Sequence, residues 1–311
     1  MLTRVCSALV WLPLLLSIAC QSTASQDQYT LIDDMEPRPS GAWFSSKAGF
    51  SGLWYSSTQC GQGDNVSPPA YLGGTNLWTF DSLEQPYVTL QLSSHAARLK
   101  TTKGGLVSSP MDGPNSRNWG ANMGVDLVTP PDPDGGAEAG VDAGTGNAGC
   151  PSLVSNRPYP DGVDLSSYSG LVFWAKASSR VEDGSLGEQT IHVMVHDRNS
   201  EPRGGKCNDN AKGYECYNAS SKTLTLSESF ERYEVDFSKL ERDPTWGNAA
   251  TDSLDLEHVY MFVFEVRQPK CVVDGKARCA GDASQVLKFD FSIDDLYLVE
   301  HPTTRRPDGA L

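Results

Sequence analysis

The chain has 311 residues, with 39 acidic and 25 basic side chains and a formal charge of −14 at pH 7. Removing residues 1–24, which contain one charged residue (Arg4), takes this charge from −14 to about −15. An acidic chain without a basic cluster is a poor nucleic-acid binder. Its carboxylates suit divalent cations and, more weakly, neutral sugars, and they also keep an exported protein soluble.

Residues 1–24 have the pattern of an export signal. Arg4 is followed by an apolar run, Val5–Ala19, that is too short to span a bilayer as a helix. Ser17–Cys20 resembles a bacterial lipobox, which would place a lipid on Cys20, and Gln21 after it favours the outer membrane. Ser22–Ala24 is an equally acceptable site for ordinary secretion. The prediction is an exported protein, either an outer-membrane lipoprotein or a secreted or periplasmic one, with an incidental Cys20 as the alternative to lipidation.

Six cysteines remain after this segment, and an even number in an exported chain predicts disulfides. Spacing predicts a Cys207–Cys216 bond around a turn rich in Gly and Asn. It also predicts a Cys271–Cys279 bond around Asp274-Gly275, which favours a hairpin turn. Elimination then pairs Cys60 with Cys150. A zinc site is the rival hypothesis, but there is no Cys-x-x-Cys and the histidines are scattered.

Alternating apolar and polar residues predict β-strands separated by turns. The strand-like segments are Tyr87–Leu92, Val125–Val128, Leu171–Ala175, Ile191–His196, Lys222–Leu226, Arg232–Phe237, Val259–Val266 and Leu287–Val299. No long helical period is found. The predicted fold is all-β, an antiparallel β-sandwich of the jelly-roll, galactose-binding-like type.

The domain prediction is one jelly roll over residues 25–300. Residues 130–149 are rich in Gly, Ala, Asp and Pro and contain no aromatic residue, so they cannot bury enough apolar surface to become ordered. They are predicted to form a disordered loop within the domain. Residues 301–311 are predicted to be a disordered tail.

Two strands at opposite ends of this domain carry an Asp-Asp pair, LIDDME at Leu31–Glu36 and FSIDDLYLVE at Phe291–Glu300. In the second, apolar residues alternate at 289, 291 and 293 and then shift phase to 296 and 298, which is typical of a β-bulge at Asp294-Asp295. If the two strands pair, Glu36 meets Asp294 or Asp295. Together with backbone carbonyls of the loop at 41–50, they would form the oxygen shell that Ca²⁺ prefers. Solvated strand-end acids are the alternative.

Catalytic motifs are largely missing from the sequence. There is no Gly-x-Ser-x-Gly, phosphate-binding loop or His-Glu-x-x-His. His192 and His196 fall on the same face of one predicted strand, where a place on the sheet surface is a simpler explanation than metal ligation or catalysis. Acidic pairs are too common here to identify a glycosidase.

Several motifs together resemble family 11 carbohydrate-binding modules and related jelly rolls. They are LIDDME, SGLVFWAKA at Ser169–Ala177, the segment Ser227–Gly247, LDLEHVYMFVFEV at Leu254–Val266 and FDFSIDDLYLV at Phe289–Val299. The resemblance spans nearly the whole mature chain in order. It implies a sandwich with structural calcium that binds β-glucan along a concave sheet, although the same fold serves other roles.

The resemblance also implies a ligand cleft. Arg242, Asp243 and Trp246 stand where the family places an arginine, an aspartate and an aromatic ring. Glu265 stands at a sugar-facing position where an aromatic residue is expected, and Tyr217 and Asp197 extend the cleft. A ring offers an apolar platform to a sugar, while Arg and Asp offer directional hydrogen bonds. For Trp246, the alternative is a loop residue folded over the sandwich edge.

The functional hypothesis is therefore non-catalytic binding of a polysaccharide. A structural or interaction lipoprotein without a sugar site is one alternative. A jelly-roll glycan hydrolase or lyase is the other, and it would need a cleft carboxylate with a raised pKa, or a base beside an arginine.

Overall fold

The structure, a computed structural model, describes 17 main ranges and single residues of the chain. They are 29–35, 43–45, 50–58, 66–67, 81–82, 95–102, 106–107, 120–128, 161–201, 204, 206–207, 216, 218–244, 253–267, 272–273, 276–277 and 286–301. The predicted export signal with Cys20, the loop at 130–149 and the tail at 302–311 lie outside these residues. No helix within the described ranges is long and apolar enough to cross a membrane.

The described residues form β-strands and one short 3-10 helix, Phe237–Lys239. The strands are β1 (Tyr29–Asp33), β2 (Trp43–Ser45), β3 (Ser51–Thr58), β4 (Val66–Ser67), β5 (Asp81–Ser82), β6 (His95–Thr101), β7 (Leu106–Val107), β8 (Gly120–Asp126), β9 (Tyr168–Ala177), β10 (Thr190–Asp197), β11 (Ser220–Thr225), β12 (Glu231–Asp236), β13 (Val259–Arg267), β14 (Val272–Val273), β15 (Lys276–Ala277), β16 (Val286–Leu287) and β17 (Asp290–Glu300).

Two antiparallel sheets make up the fold. The first has the order β12-β9-β17-β6-β4, with β1 also paired to β17 and β5 to β6. The second has the order β11-β10-β13-β8-β3-β2. Apolar residues on the facing sides of both sheets form one buried cluster, in which the Phe173 and Phe264 rings lie 5.2 Å apart. The predicted all-β antiparallel jelly-roll sandwich is confirmed.

The last strand, β17, runs through the centre of the first sheet. Its first half pairs with β6, its second half pairs with β1, and β9 lies along its other side. Asp294 pairs with Trp174 and Tyr297 with Val172, so one extra residue is present at this point of β17. Asp295 has a φ of 48°, as a bulge residue does. The predicted bulge is confirmed.

The bulge keeps the apolar side chains of β17 on the core side. Phe291 and Ile293 before it, and Leu296 and Leu298 after it, are each at most 1% exposed. Without the extra residue, the second pair would face outwards, because a one-residue slip inverts the faces of a strand.

Other local predictions have mixed outcomes. The segment 87–92 lies outside the described residues. The strand predicted at 125–128 is the end of β8, which starts at Gly120 and stops at Asp126, and the run 287–299 is divided between β16 and β17. The sequence pattern missed β3 and β6, whose small and polar residues obscure the alternation.

The predicted Cys207–Cys216 disulfide is present. β14 and β15 pair across residues 274 and 275, which confirms the predicted hairpin. Cys271, Cys279, Cys60 and Cys150 lie outside the described residues, so the other two disulfides remain predictions.

Candidate functional site

The candidate site lies on the outer face of the second sheet. Strand alternation turns Val193, Val195, Phe262 and Phe264 towards the core. The residues between them face away from the core, and strand register aligns them in rows across the sheet. Two adjacent rows form the candidate site.

The first row is apolar and contains Tyr55, Gly124, Val263 and Met194. Met261, two residues along β13 from Val263, joins them in one apolar platform. Tyr55 is paired with Gly124, and its ring lies across that glycine, where an added Cβ would be 2.4 Å from the ring. The Tyr55 hydroxyl donates to Met261 Sδ at 3.0 Å. Met194, Met261 and Val263 are nearly buried, whereas Tyr55 is only partly buried. Glycine is required at 124 because a side chain would displace the ring.

The second row is polar and crosses four strands. Thr223, His192, Glu265 and Asn122 are successive cross-strand partners on β11, β10, β13 and β8. Thr223 Oγ1 and His192 Nδ1 are 3.1 Å apart. The Asn122 side-chain oxygen is buried and has no hydrogen-bond partner among the described residues. The polar row therefore presents hydrogen-bonding groups beside the platform.

Burial and Arg267 determine the electrostatics of this row. Burial raises the pKa of the Glu265 carboxyl, and this effect outweighs that of Arg267, whose Nε donates to Glu265 Oε1. Burial and, next, the neighbouring Arg267 cation lower the pKa of His192 to about 4. His192 is thus a neutral imidazole near pH 7.

A groove of about 330 Å³ opens at the His192 end of the polar row. It is lined by His192 and Arg267, by residues 221–223 of β11, by Lys239 at the end of the 3-10 helix, and by residues 241–244 of the loop that follows. Backbone hydrogen bonds between Ser221 and Glu241, at 2.8 and 3.0 Å, attach this loop to the edge of the second sheet. The loop therefore forms one wall of the groove.

Arg242 and Asp197, two of the predicted ligand-binding residues, form a buried ion pair. Arg242 Nη2 donates to both Asp197 carboxylate oxygens, at 3.0 and 2.8 Å, and the two side chains are 8% and 0% exposed. Asp197 also accepts from the backbone N–H groups of Asn199, Ser200 and Asp255. Asp197 is thus enclosed by its partners, while Arg242 lines the groove.

The other predicted ligand-binding residues are distributed differently. Asp243 lines the groove, and the Asn218 amide holds its backbone through hydrogen bonds of 3.0 and 3.1 Å. Glu265 lies on the outer face, as predicted, but is only 8% exposed. Trp246 and Tyr217 lie outside the described residues.

Two of the predicted metal ligands, Asp294 and Asp295, lie where β1 meets β17. Asp294 and Asp295 are 0% and 6% exposed, and Glu36 lies outside the described residues. Asp33, which is also buried, accepts from Trp54 Nε1 at 2.7 Å and from the Met35 N–H at 3.2 Å. Burial raises the pKa of Tyr297 to about 12, helped by Asp295, Asp294 and Asp34. The carboxylates therefore lie close enough to Tyr297 to affect its pKa.

Another acidic cluster, of Asp255, Glu257 and His258, brings three ligand atoms within 4.8 Å of one another. The Arg198 guanidinium forms an ion pair with Asp255, so a cation of the protein already occupies this cluster. The cluster is best explained as an ion-pair network.

Sequence reasoning missed Tyr55, Gly124, Asn122 and Arg267 as site residues. They are brought together by sheet order, which the sequence pattern does not supply. His192 was singled out only as a residue of the sheet surface, and the structure adds its place in the groove. The one local signal for the missed set was Arg267 at the end of a strongly apolar strand, beside Glu265.

No family model matches the chain, and no curated protein matches it. Among solved structures, it is similar to the family 11 carbohydrate-binding module of a cellulosomal cellulase of Clostridium thermocellum, with 12% identity and a TM-score of 0.41 over 89% of this chain and 96% of the module. The Clostridium thermocellum family 11 module in complex with a β-1,3-1,4-mixed-linked tetrasaccharide gives 13% identity and a TM-score of 0.38, over 88% and 98%.

A family 30 carbohydrate-binding module gives 12% identity and a TM-score of 0.39, over 79% of this chain and 82% of the module. The resemblance first indicated by the sequence motifs is therefore also found among solved structures. At these identities and TM-scores the likeness carries no argument about what this chain binds. The sandwich itself follows from the two sheets described above.

We expect Asp197→Asn to destabilise the fold by about 3 kcal/mol, because it leaves the buried Arg242 guanidinium without its counter-charge. Urea unfolding at pH 7 measures this. The matched control is Asp236→Asn, since Asp236 pairs at 3.1 Å with Lys239 near the surface. Exposed pairs contribute at most about 1 kcal/mol. Equal effects of the two substitutions would contradict the structural role of Asp197.

We expect the His192 imidazole to stay neutral down to about pH 4. The unfolded chain takes up this proton near the ordinary value of 6.5, so the wild type should lose stability relative to His192→Gln as the pH falls from 6.5 towards 4. NMR titration of the ring, assigned with the same variant, measures the pKa. A midpoint near 6.5 would show that neither burial nor Arg267 acts on His192.

Proposed function

We propose that this protein is an exported, non-catalytic binding protein that holds a polysaccharide on the outer face of its second sheet. The observation that carries the proposal is the Tyr55 ring, which lies across Gly124 directly beside the polar row. A sugar ring needs an apolar surface for its C–H face and directional polar groups for its hydroxyls. The platform and the polar row supply both.

The geometry suits an extended chain better than a single sugar. The polar row crosses neighbouring strands, which lie about 4.8 Å apart in a sheet, and it leads into the groove beside His192 and Arg267. A polysaccharide lying across the strands would contact the platform, the polar row and the groove in succession. Arg242 and Asp243 belong to the groove wall in this proposal, and Trp246 remains a proposed aromatic contact in the loop that follows.

We expect Tyr55→Ala to weaken glycan binding at least about tenfold, which corresponds to about 1.4 kcal/mol. Gly124→Ala should also weaken binding, because its new methyl group displaces the ring that Tyr55 retains. Binding is measured by titration calorimetry on the glycans that a glycan array selects for the wild type. Tyr29→Ala, which removes an exposed ring on β1 of the other sheet, is the control.

Unchanged affinity in both Tyr55→Ala and Gly124→Ala, with melting temperatures equal to that of the wild type, would show that the platform does not bind the glycan. No binding of any glycan by the wild type would favour the alternative of a structural or interaction lipoprotein.

A glycan hydrolase or lyase is the second candidate. It is favoured by the raised pKa of the Glu265 carboxyl and by the neutral His192 beside Arg267, since such groups are candidates for proton transfer. Prolonged incubation with the bound glycan distinguishes the two functions. New reducing ends that vanish in Glu265→Gln would establish an enzyme, and an intact glycan supports the binding protein.

We also propose that Ca²⁺ binds between β1 and β17, through Asp294 or Asp295 and Glu36. Carboxylate oxygens are the ligands that Ca²⁺ prefers, and Asp294 and Asp295 are held at a bulge where the two strands meet. The described acids there do not bring three ligand atoms within 4.8 Å of one another. The site therefore requires Glu36 and backbone carbonyls from outside the described residues.

A calcium site with a Kd of about 1 µM would stabilise the fold by roughly 4 kcal/mol in ~1 mM calcium. We expect the melting temperature to rise by several degrees with calcium and to fall with chelator. Glu36→Ala and Asp294→Ala should lose the difference. Identical melting temperatures of the wild type under the two conditions would exclude the site.

Export through residues 1–24, with a lipid on Cys20, completes the proposal. The apolar run and the lipobox-like Ser17–Cys20 support it. Mass spectrometry of the mature N-terminus decides between a lipidated Cys20 and cleavage after Ala24.

A further inference from the structure

We propose that the polysaccharide is acidic, and that the groove binds its uronate carboxylates through Arg267. This inference rests on the proposed function and names the class of its ligand. The first observation is the charge of the groove. Four of the residues that line it are basic (Lys222, Lys239, Arg242 and Arg267), and two are acidic (Glu241 and Asp243). The chain as a whole has the opposite balance.

Arg267 is the best placed donor for a carboxylate. Its Nε is bonded to Glu265, but its two Nη groups have no acceptor among the described residues. The side chain is 34% exposed and lines the groove. A guanidinium with free Nη groups presents parallel N–H donors that match the two oxygens of a carboxylate. The bond to Glu265 fixes the orientation of the Arg267 guanidinium.

The other cations of the groove are engaged elsewhere. Lys222 pairs with the core-facing Val193, and its ammonium donates to the backbone carbonyl of Glu234, on the first sheet, at 3.3 Å. Lys239 is paired with Asp236 and Arg242 with the buried Asp197. Arg267 is therefore the groove cation that an added anion would contact.

Arg242 provides a second observation in favour of an acidic ligand, because one of its hydrogen-bond donors has no acceptor among the described residues. Its side chain is 8% exposed, and its Nε–H is buried with no acceptor in the described ranges. Leaving a buried donor unpaired costs about 1–3 kcal/mol. An acidic ligand in the groove would lie against the same guanidinium. The neutral His192 adds a hydrogen-bonding group without adding charge.

The test compares each acidic polysaccharide with a matched neutral form of the same backbone. The probes are oligogalacturonate and its methyl ester, alginate and its propylene glycol ester, and a neutral β-glucan. We expect at least one acid form to bind about tenfold more tightly than its ester at pH 7, because esterification removes the negative charge and keeps the sugar backbone. This preference should shrink when salt is raised from about 0.05 M to about 0.5 M.

Substitutions test whether the charged residues of the groove cause the preference for the acid form. Arg267→Gln should weaken binding of the acid form about fivefold and leave the ester unchanged, whereas Arg267→Lys should restore part of the loss. Glu241→Gln, which removes an exposed acid from the groove wall, should strengthen acid binding. Lys176→Gln is the control, because Lys176 lies over Phe230 on the other sheet.

Equal binding of an acid and its ester, or binding of the neutral glucan alone, would overturn the inference and leave the proposed function intact. No binding of any probe would also overturn the inference, whereas the proposed function fails only if the wild type binds no glycan on the array. Acid preference that persists unchanged in Arg267→Gln would place the anion site elsewhere and also contradict the inference.

Discussion

The pairing of β1 with β17 is the constraint on which the rest of the sandwich depends, and the buried Asp33 carboxylate ties it to the second sheet. Asp33 lies at the end of β1 and accepts a 2.7 Å hydrogen bond from the Trp54 indole of β3. The Trp54 ring stacks on Phe264, at the centre of the second sheet. A buried carboxylate is costly unless its oxygens are bonded. This bond therefore fixes the position of the first strand against both layers.

The two strands that carry the Asp-Asp pairs, β1 and β17, also share one irregularity. Each Asp-Asp pair coincides with an extra residue, between Leu31 and Asp33 in β1 and before Tyr297 in β17. The extra residue lets apolar side chains on either side of the acids stay in the core. It also gathers carboxylates near Tyr297, where they add to the effect of burial in raising the pKa of that tyrosine. Core packing and acid clustering are thus two results of one local irregularity.

The sequence allowed prediction of features that depend on near neighbours in the chain. The phase shift around Asp294, the Cys207–Cys216 loop and the hairpin around residues 274–275 can all be inferred within a few residues. The Tyr55–Gly124 contact and the Arg242–Asp197 pair could not be inferred, because they depend on which strands are adjacent. β3 escaped detection because its serines, threonine and glycine weaken the apolar alternation. The candidate site was therefore only partly predictable.

The central place of β17 has a consequence for how the protein is made. Its pairing with β9, β6 and β1 occupies the middle of the first sheet, yet it is synthesised after all three of them. Until then, β9 and β1 lack the neighbour that joins them, and their backbone groups and apolar faces stay accessible. Contacts so distant in sequence form slowly, and exposed strands of this kind aggregate. The first sheet therefore cannot be completed until β17 has been synthesised.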